Sequence, residues 1–183
     1  MLDKLIGDLT KSLEKKKKNI GYQWERIGED TPALNPSVFN KVIEEHLPGD
    51  EGGFVFRMMS RREWGEVSQT GIIGGKVLPG QVEPGVTWWG DRVGDATSQV
   101  GGSIHALSGG KVTWGGERGV LIAVEKAAIR GKIVESRRAP GGDREYNAYK
   151  TKEAVAANEI RAVFYVGREK SDGLFHLQQL KSK

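Results

Sequence analysis

Three groups of side chains in this sequence have types and settings that could do chemistry: Arg57 within an apolar run, the tandem Trp88-Trp89 just after Thr87, and the acidic pair Asp143 and Glu145 ahead of Tyr146. A planar guanidinium grips phosphate with a fork of donors that lysine lacks. Aromatic rings stack on flat ligands. Residues two apart in an extended chain share a face, so one carboxylate of the acidic pair could stabilise developing positive charge while the other orients or deprotonates a hydroxyl. Each group also has a plainer explanation. An arginine in a strand is equally accounted for by an ion pair, and tandem tryptophans by a core or a cleft wall. Trp88 and Trp89 must face opposite ways on a strand, so at most one of them can meet a ligand. Acidic residues in a Gly-rich stretch are commonly just solvated, as is His105 in its own Gly-rich loop.

Several other chemistries lack their residues. Gly110-Lys111 is followed by Val112 without the upstream glycine spacing of a phosphate loop, and no expected strand runs into a G-x-G-x-x-G turn. His46, His105 and His176 are too scattered for a zinc motif, no G-x-S-x-G elbow occurs, and the absence of cysteine removes disulfides and thiolate chemistry.

The elements that must position these groups can be read from apolar spacing. Leu2, Leu5, Ile6, Leu9 and Leu13 predict an amphipathic helix to about Lys18, with Lys11, Lys15 and Lys18 on its polar face. Such a helix either packs on its own domain or meets a membrane surface or a partner groove. Asn35-Pro36 predicts a second helix carrying Phe39, Val42, Ile43 and Leu47, stopped by Leu47-Pro48-Gly49-Asp50. Residues 1–50 thus read as a helical lead and 51–183 as the main domain.

That domain opens with a strand from Phe54 to Met59. Ser60-Arg61-Arg62-Glu63 is a capping box, in which Glu63 should reach back to residue 60. It starts a helix with Trp64 and Val67 inward that ends at Gly71. A loop to Gly85 precedes the β-prone Val86-Thr87-Trp88-Trp89. Asp91 to Val100 reads as a short helix and Lys111 to Trp114 as a small hairpin. Val120-Leu121-Ile122-Ala123-Val124, uninterrupted by polar residues, predicts a buried strand. Further strands are expected at 132–134, 146–149 and 160–166, the last turning at Ser171-Asp172-Gly173 into a hairpin with 174–177.

The order of these blocks resembles the ADP-ribosyltransferase superfamily. Phe56-Arg57-Met58-Met59-Ser60 with Thr70-Gly71-Ile72-Ile73 is similar to its opening, an Arg-bearing strand and a helix ending in Thr-Gly-hydrophobic. Gly85-Val86-Thr87-Trp88-Trp89-Gly90-Asp91, then Ala96, resembles its middle block, and Gly119 to Val124 the strand that follows. Asp143-Arg144-Glu145-Tyr146 with Asn158-Glu159-Ile160-Arg161-Ala162-Val163 resembles its close, where a catalytic Glu starts a strand. One departure is that the family often has a hydroxyl residue after the middle aromatic, whereas here Trp89 and Gly90 stand there and Thr87 comes before.

The resemblance implies an α+β fold with a split β-sheet core and short helices, preceded by the helical lead, and NAD as substrate with no metal. Glu145, Arg57 and Asp143 would be catalytic. Arg57, Ser60, Thr87, Trp88, Trp89 and Tyr146 would bind NAD. The implied activity is mono-ADP-ribosyl transfer to a protein or nucleic-acid acceptor by a toxin or effector domain, with an immunity or antitoxin protein as partner. NAD glycohydrolase is the near alternative, and a non-catalytic basic module binding nucleic acid or an acidic partner is the distant one. The net charge of +4 fits a polyanionic partner, though Lys15 to Lys18 and the Lys181-Ser182-Lys183 tail carry much of it. No long apolar run and no signal-peptide pattern is present, Asp3 and Asp8 standing where a basic start would be, so a soluble protein is expected, its delivery into a target cell resting on the resemblance.

Overall fold

The computed structural model describes residues 22–32, 36–49, 53–74, 85–93, 118–141, 144–168 and 173–182. In chain order the elements are β1 (Tyr22–Thr31), α1 (Pro36–Glu45), β2 (Phe54–Met59), α2 (Arg61–Thr70), β3 (Ile72–Ile73), β4 (Thr87–Gly90), β5 (Arg118–Glu125), α3 (Lys126–Arg130), β6 (Ile133–Gly141), β7 (Arg144–Thr151), β8 (Val155–Ala156), a 3₁₀ turn (Ala157–Glu159), β9 (Ile160–Arg168) and β10 (Phe175–Ser182). The fold is α+β and strand-rich. Eight strands form one sheet in the order β1-β10-β9-β5-β2-β4-β7-β6, and β3 pairs with β8 in a second, two-stranded sheet.

The apolar run of β5 explains the sheet's central layout. Its side chains alternate between two cores, one per face: Leu121 and Ala123 join Phe54, Phe56, Met58 and Phe164, while Val120, Ile122 and Val124 join Val55, Met59, Trp89 and Val163. The first core is closed by Phe39 and Ile43 of α1. The second is closed by Val67 of α2, Ile73 of β3, Ile129 of α3 and Val155 of β8. A strand with both faces buried has no polar alternation to show, so a continuous apolar run is its sequence form.

Local signals fix the helix ends. Pro36 occupies the first turn of α1, where its missing N–H is no loss. Ser60 caps α2 by accepting a hydrogen bond from the Glu63 N–H, and Gly71 ends the helix in the left-handed region at φ 70°. The reciprocal half of the expected capping box is not made, because the Glu63 carboxylate turns to Arg57 instead.

The lead over residues 1–50 is not wholly helical. Tyr22–Thr31 is a strand, antiparallel to β10 from Tyr22 opposite Ser182 to Thr31 opposite Phe175. Ile27 of that strand shares the first core with α1 and Phe54, so the described part of the lead is built into the same sheet and core as the rest. The loop expected from Ile72 begins instead with β3, pairing Ile72 with Ala156 and Ile73 with Val155. The helix expected near Ala96, the hairpin at 111–114 and the helix before Lys18 lie outside the described residues.

Candidate functional site

The strands carrying the candidate residues are sheet neighbours: β2 with Arg57, β4 with Thr87 to Trp89, and β7 with Glu145 and Tyr146. Antiparallel register aligns Phe56 with Gly90 and Gly90 with Ala148 across the three.

Arg57 faces the second core but ends in a polar clasp. Its side chain is 14% exposed, and Nη2 and Nε donate to Glu63 Oε1 at 2.7 and 3.1 Å. Nη1 donates to the Trp88 carbonyl at 3.3 Å. The Ser60 cap makes this possible, since the tight start of α2 returns Glu63 over the end of β2. Ser60 therefore serves the helix terminus with its hydroxyl. A guanidinium has five N–H donors, and each nitrogen here spends one within the clasp.

Trp89, level with Arg57 on the same face, and Thr87 lie deeper in the interior. Trp89 is fully buried and its Nε1 donates to Thr151 Oγ1 at 3.0 Å, while Thr87 is 2% exposed. Thr151, also fully buried, lies 3.5 Å from the Thr87 carbonyl. These two residues belong to the core rather than to a ligand-stacking surface, which corrects the contact role the resemblance implied for them. Trp88 points the other way, as strand alternation requires. It is half-buried with the Lys150 ammonium 5.3 Å from its ring centroid, and Lys150 pairs with Glu135 at 3.1 Å.

Glu145 sits opposite Pro140 and Tyr146 opposite Ala139 in the β6–β7 pair. Along β7, Glu145 is three residues from the Phe56-Gly90-Ala148 row, about 10 Å at strand rise, and Arg57 is one residue off that row in the other direction. The fold places their strands on either side of β4 without setting the two residues level. Asp143 lies outside the described residues, as does His105.

A cluster that sequence reading did not single out joins β4, α3 and β7. Asp91 Oδ1 accepts from Lys126 Nζ at 2.8 Å and from the Tyr149 hydroxyl at 3.3 Å, and the ammonium lies 4.9 Å from the Tyr149 ring centroid. The Asp91 hydrogen bond above all, with Tyr149 second, raises the Lys126 pKa, and partial burial opposes them. Asp91 directly follows Gly90, but nothing in local spacing marks Lys126 as its partner. Among the described residues no group of His, Asp or Glu is placed to hold a metal ion, and no helix is long and apolar enough to cross a membrane.

No protein-family model matches the chain, and no curated protein or solved structure matches it either.

Proposed function

We propose that the chain is an NAD-dependent mono-ADP-ribosyltransferase of the toxin or effector kind, with an ADP-ribosyltransferase-like fold. The observation that carries this reading is the adjacency of β2, β4 and β7, which gathers the opening, middle and closing blocks of the resemblance into three neighbouring strands. A second pairing agrees with it, since the Ile72-Ile73 segment after Thr70-Gly71 joins Val155-Ala156 just before Asn158-Glu159-Ile160.

Cleaving the glycosidic bond of NAD builds positive charge on the ribose and releases neutral nicotinamide. The site therefore needs an anion at the ribose and a cation at the diphosphate. Glu145 supplies the anion, by analogy with carboxylates in glycoside cleavage. Arg57 supplies the cation through the donors that its clasp with Glu63 and Trp88 leaves over. The offset between Glu145 and Arg57 suits a ligand with two separated ends. By strand alternation Trp88 and Tyr146 fall on the face opposite Arg57 and Glu145, so neither is assigned to the ligand, and Asp143 would act on the acceptor.

The test is release of nicotinamide from NAD by the purified chain, wild type against Glu145→Gln, with and without cell lysate. Release that needs Glu145 and rises with lysate supports transfer. Release that needs Glu145 but ignores lysate replaces transfer with glycohydrolysis. No consumption of NAD by the wild type under either condition overturns the reading.

A further inference from the structure

The face of the sheet that buries Trp89 reaches the surface at its other end, on edge strand β1. Trp24 is 38% exposed there. Its ring centroid is 5.8 Å from that of Tyr165 on β9, with the planes inclined by 57°. His176, 2% exposed, braces the pair 5.7 Å from Tyr165. Arg61, the first residue of α2, holds its guanidinium carbon 5.6 Å from the Tyr165 centroid. Arg26, two residues after Trp24 on the same side of β1, stands opposite Gln178, which stands opposite Tyr165.

The arrangement is built rather than incidental. A Cβ at Gly167 would fall 2.9 Å from Tyr165 Cε1, so the phenol ring lies over a stretch of β9 left bare by that glycine. Arg26 is paired with Asp30. Arg61 is exposed and, among the described residues, pairs with no carboxylate, its neighbour Arg62 being the partner of Glu66. Edge strands ordinarily present charge outward, and an exposed tryptophan on one, beside a second ring and an arginine, has the parts to hold a flat anionic ligand.

The geometry points to a surface for single-stranded nucleic acid, in which a base stacks on Trp24 beside Tyr165 and the adjoining phosphate lies against Arg61. Aromatic rings alternating with guanidinium groups match a strand's alternation of flat base and anionic phosphate. An apolar protein interface would be marked by a contiguous exposed patch. The exposed large apolar residues among those described are Trp24, Val38 and Val134, on three separate elements, β1, α1 and β6. This inference does not depend on the chain's using NAD.

The experiment measures binding of the full chain, without NAD, to fluorescently labelled oligo-dT and oligo-U by anisotropy over a range of salt. Trp24→Ala and Arg61→Gln should each weaken binding about ten-fold, and Trp24→Phe should keep most of it. Arg61→Gln should also lower the salt slope by about one phosphate contact. Arg130→Gln, an exposed cation on α3, should bind as wild type. If Trp24→Ala lowers the melting temperature, Trp24→Phe and Arg61→Gln still decide. Absence of wild-type binding, wild-type affinity in Arg61→Gln, or equal losses in Arg130→Gln and Arg61→Gln would overturn the inference, the last by reducing it to diffuse charge.

Discussion

Replacing Thr151 with valine keeps the side chain's shape and removes the acceptor of the buried Trp89 indole N–H. Both residues are fully buried, so water cannot take the hydroxyl's place, and an orphaned buried donor costs about 1–3 kcal/mol. The contact from Thr151 to the Thr87 carbonyl is long at 3.5 Å and adds little. Taking about 2 kcal/mol, with a urea m-value of about 2 kcal/mol per molar, the unfolding midpoint should fall by about 1 M at unchanged m. The melting temperature should drop by about 4–8 °C. Urea titration followed by far-UV circular dichroism reads wild type, both single variants and the double variant of a double-mutant cycle without relying on tryptophan emission. In a Trp89→Phe background no N–H remains to be orphaned, so Thr151→Val should cost under about 0.5 kcal/mol there, a coupling of about 1.5 kcal/mol. Equal penalties in the two backgrounds would refute the reasoning and remove the Trp89–Thr151 hydrogen bond from the account of the core.

Two further outcomes follow from the geometry. The raised pKa of Lys126 means that its bond to Asp91 contributes stability fully below the ordinary lysine value of 10.5 and loses it as pH rises through the higher folded value. Urea midpoints measured from pH 9 to 11.5 should therefore fall more steeply for wild type than for Asp91→Asn, and parallel curves would remove the ion pair from the account. Gly74 has φ +70° and a Cβ placed there would meet Thr87 Oγ1 at 1.9 Å, whereas Gly49 at φ +80° has nothing within 4 Å. Gly74→Ala should lose about 2–4 kcal/mol and Gly49→Ala only about 1–2 kcal/mol, in the same titration; similar losses would contradict the close approach.

What was legible in the sequence was what local chemistry dictates. The unbroken apolar run of β5, the Pro36 start of α1 and the Ser60 to Gly71 limits of α2 all appear where spacing put them. β1 escaped because an edge strand needs little burial: of residues 23–31 only Ile27 is among the buried apolar residues, and Glu25, Arg26, Glu29 and Asp30 hide any alternation. Glu63 was legible as a capping residue and illegible as the partner of Arg57, since its choice between the helix N-terminus and a strand across the turn is made by tertiary geometry. Trp88 and Trp89 could be assigned opposite faces, but which face was core required the register with β7 and the hydroxyl of Thr151. The Asp91, Lys126 and Tyr149 cluster joins residues far apart in the chain, beyond any spacing rule.

The pairing of β1 with β10 sets an order of events during synthesis. Strand 22–31 emerges from the ribosome first among the described elements, yet its partner among them is the last of them to be made. Until residues 175–182 exist, β1 has no neighbour to complete its hydrogen bonds, and its docking closes the longest loop in the fold, a slow step by its contact order. A nascent chain halted before β10 would hold Trp24 unanchored and Tyr165 on an open edge, so the aromatic surface they share comes into being only after residues 175–182 have been made.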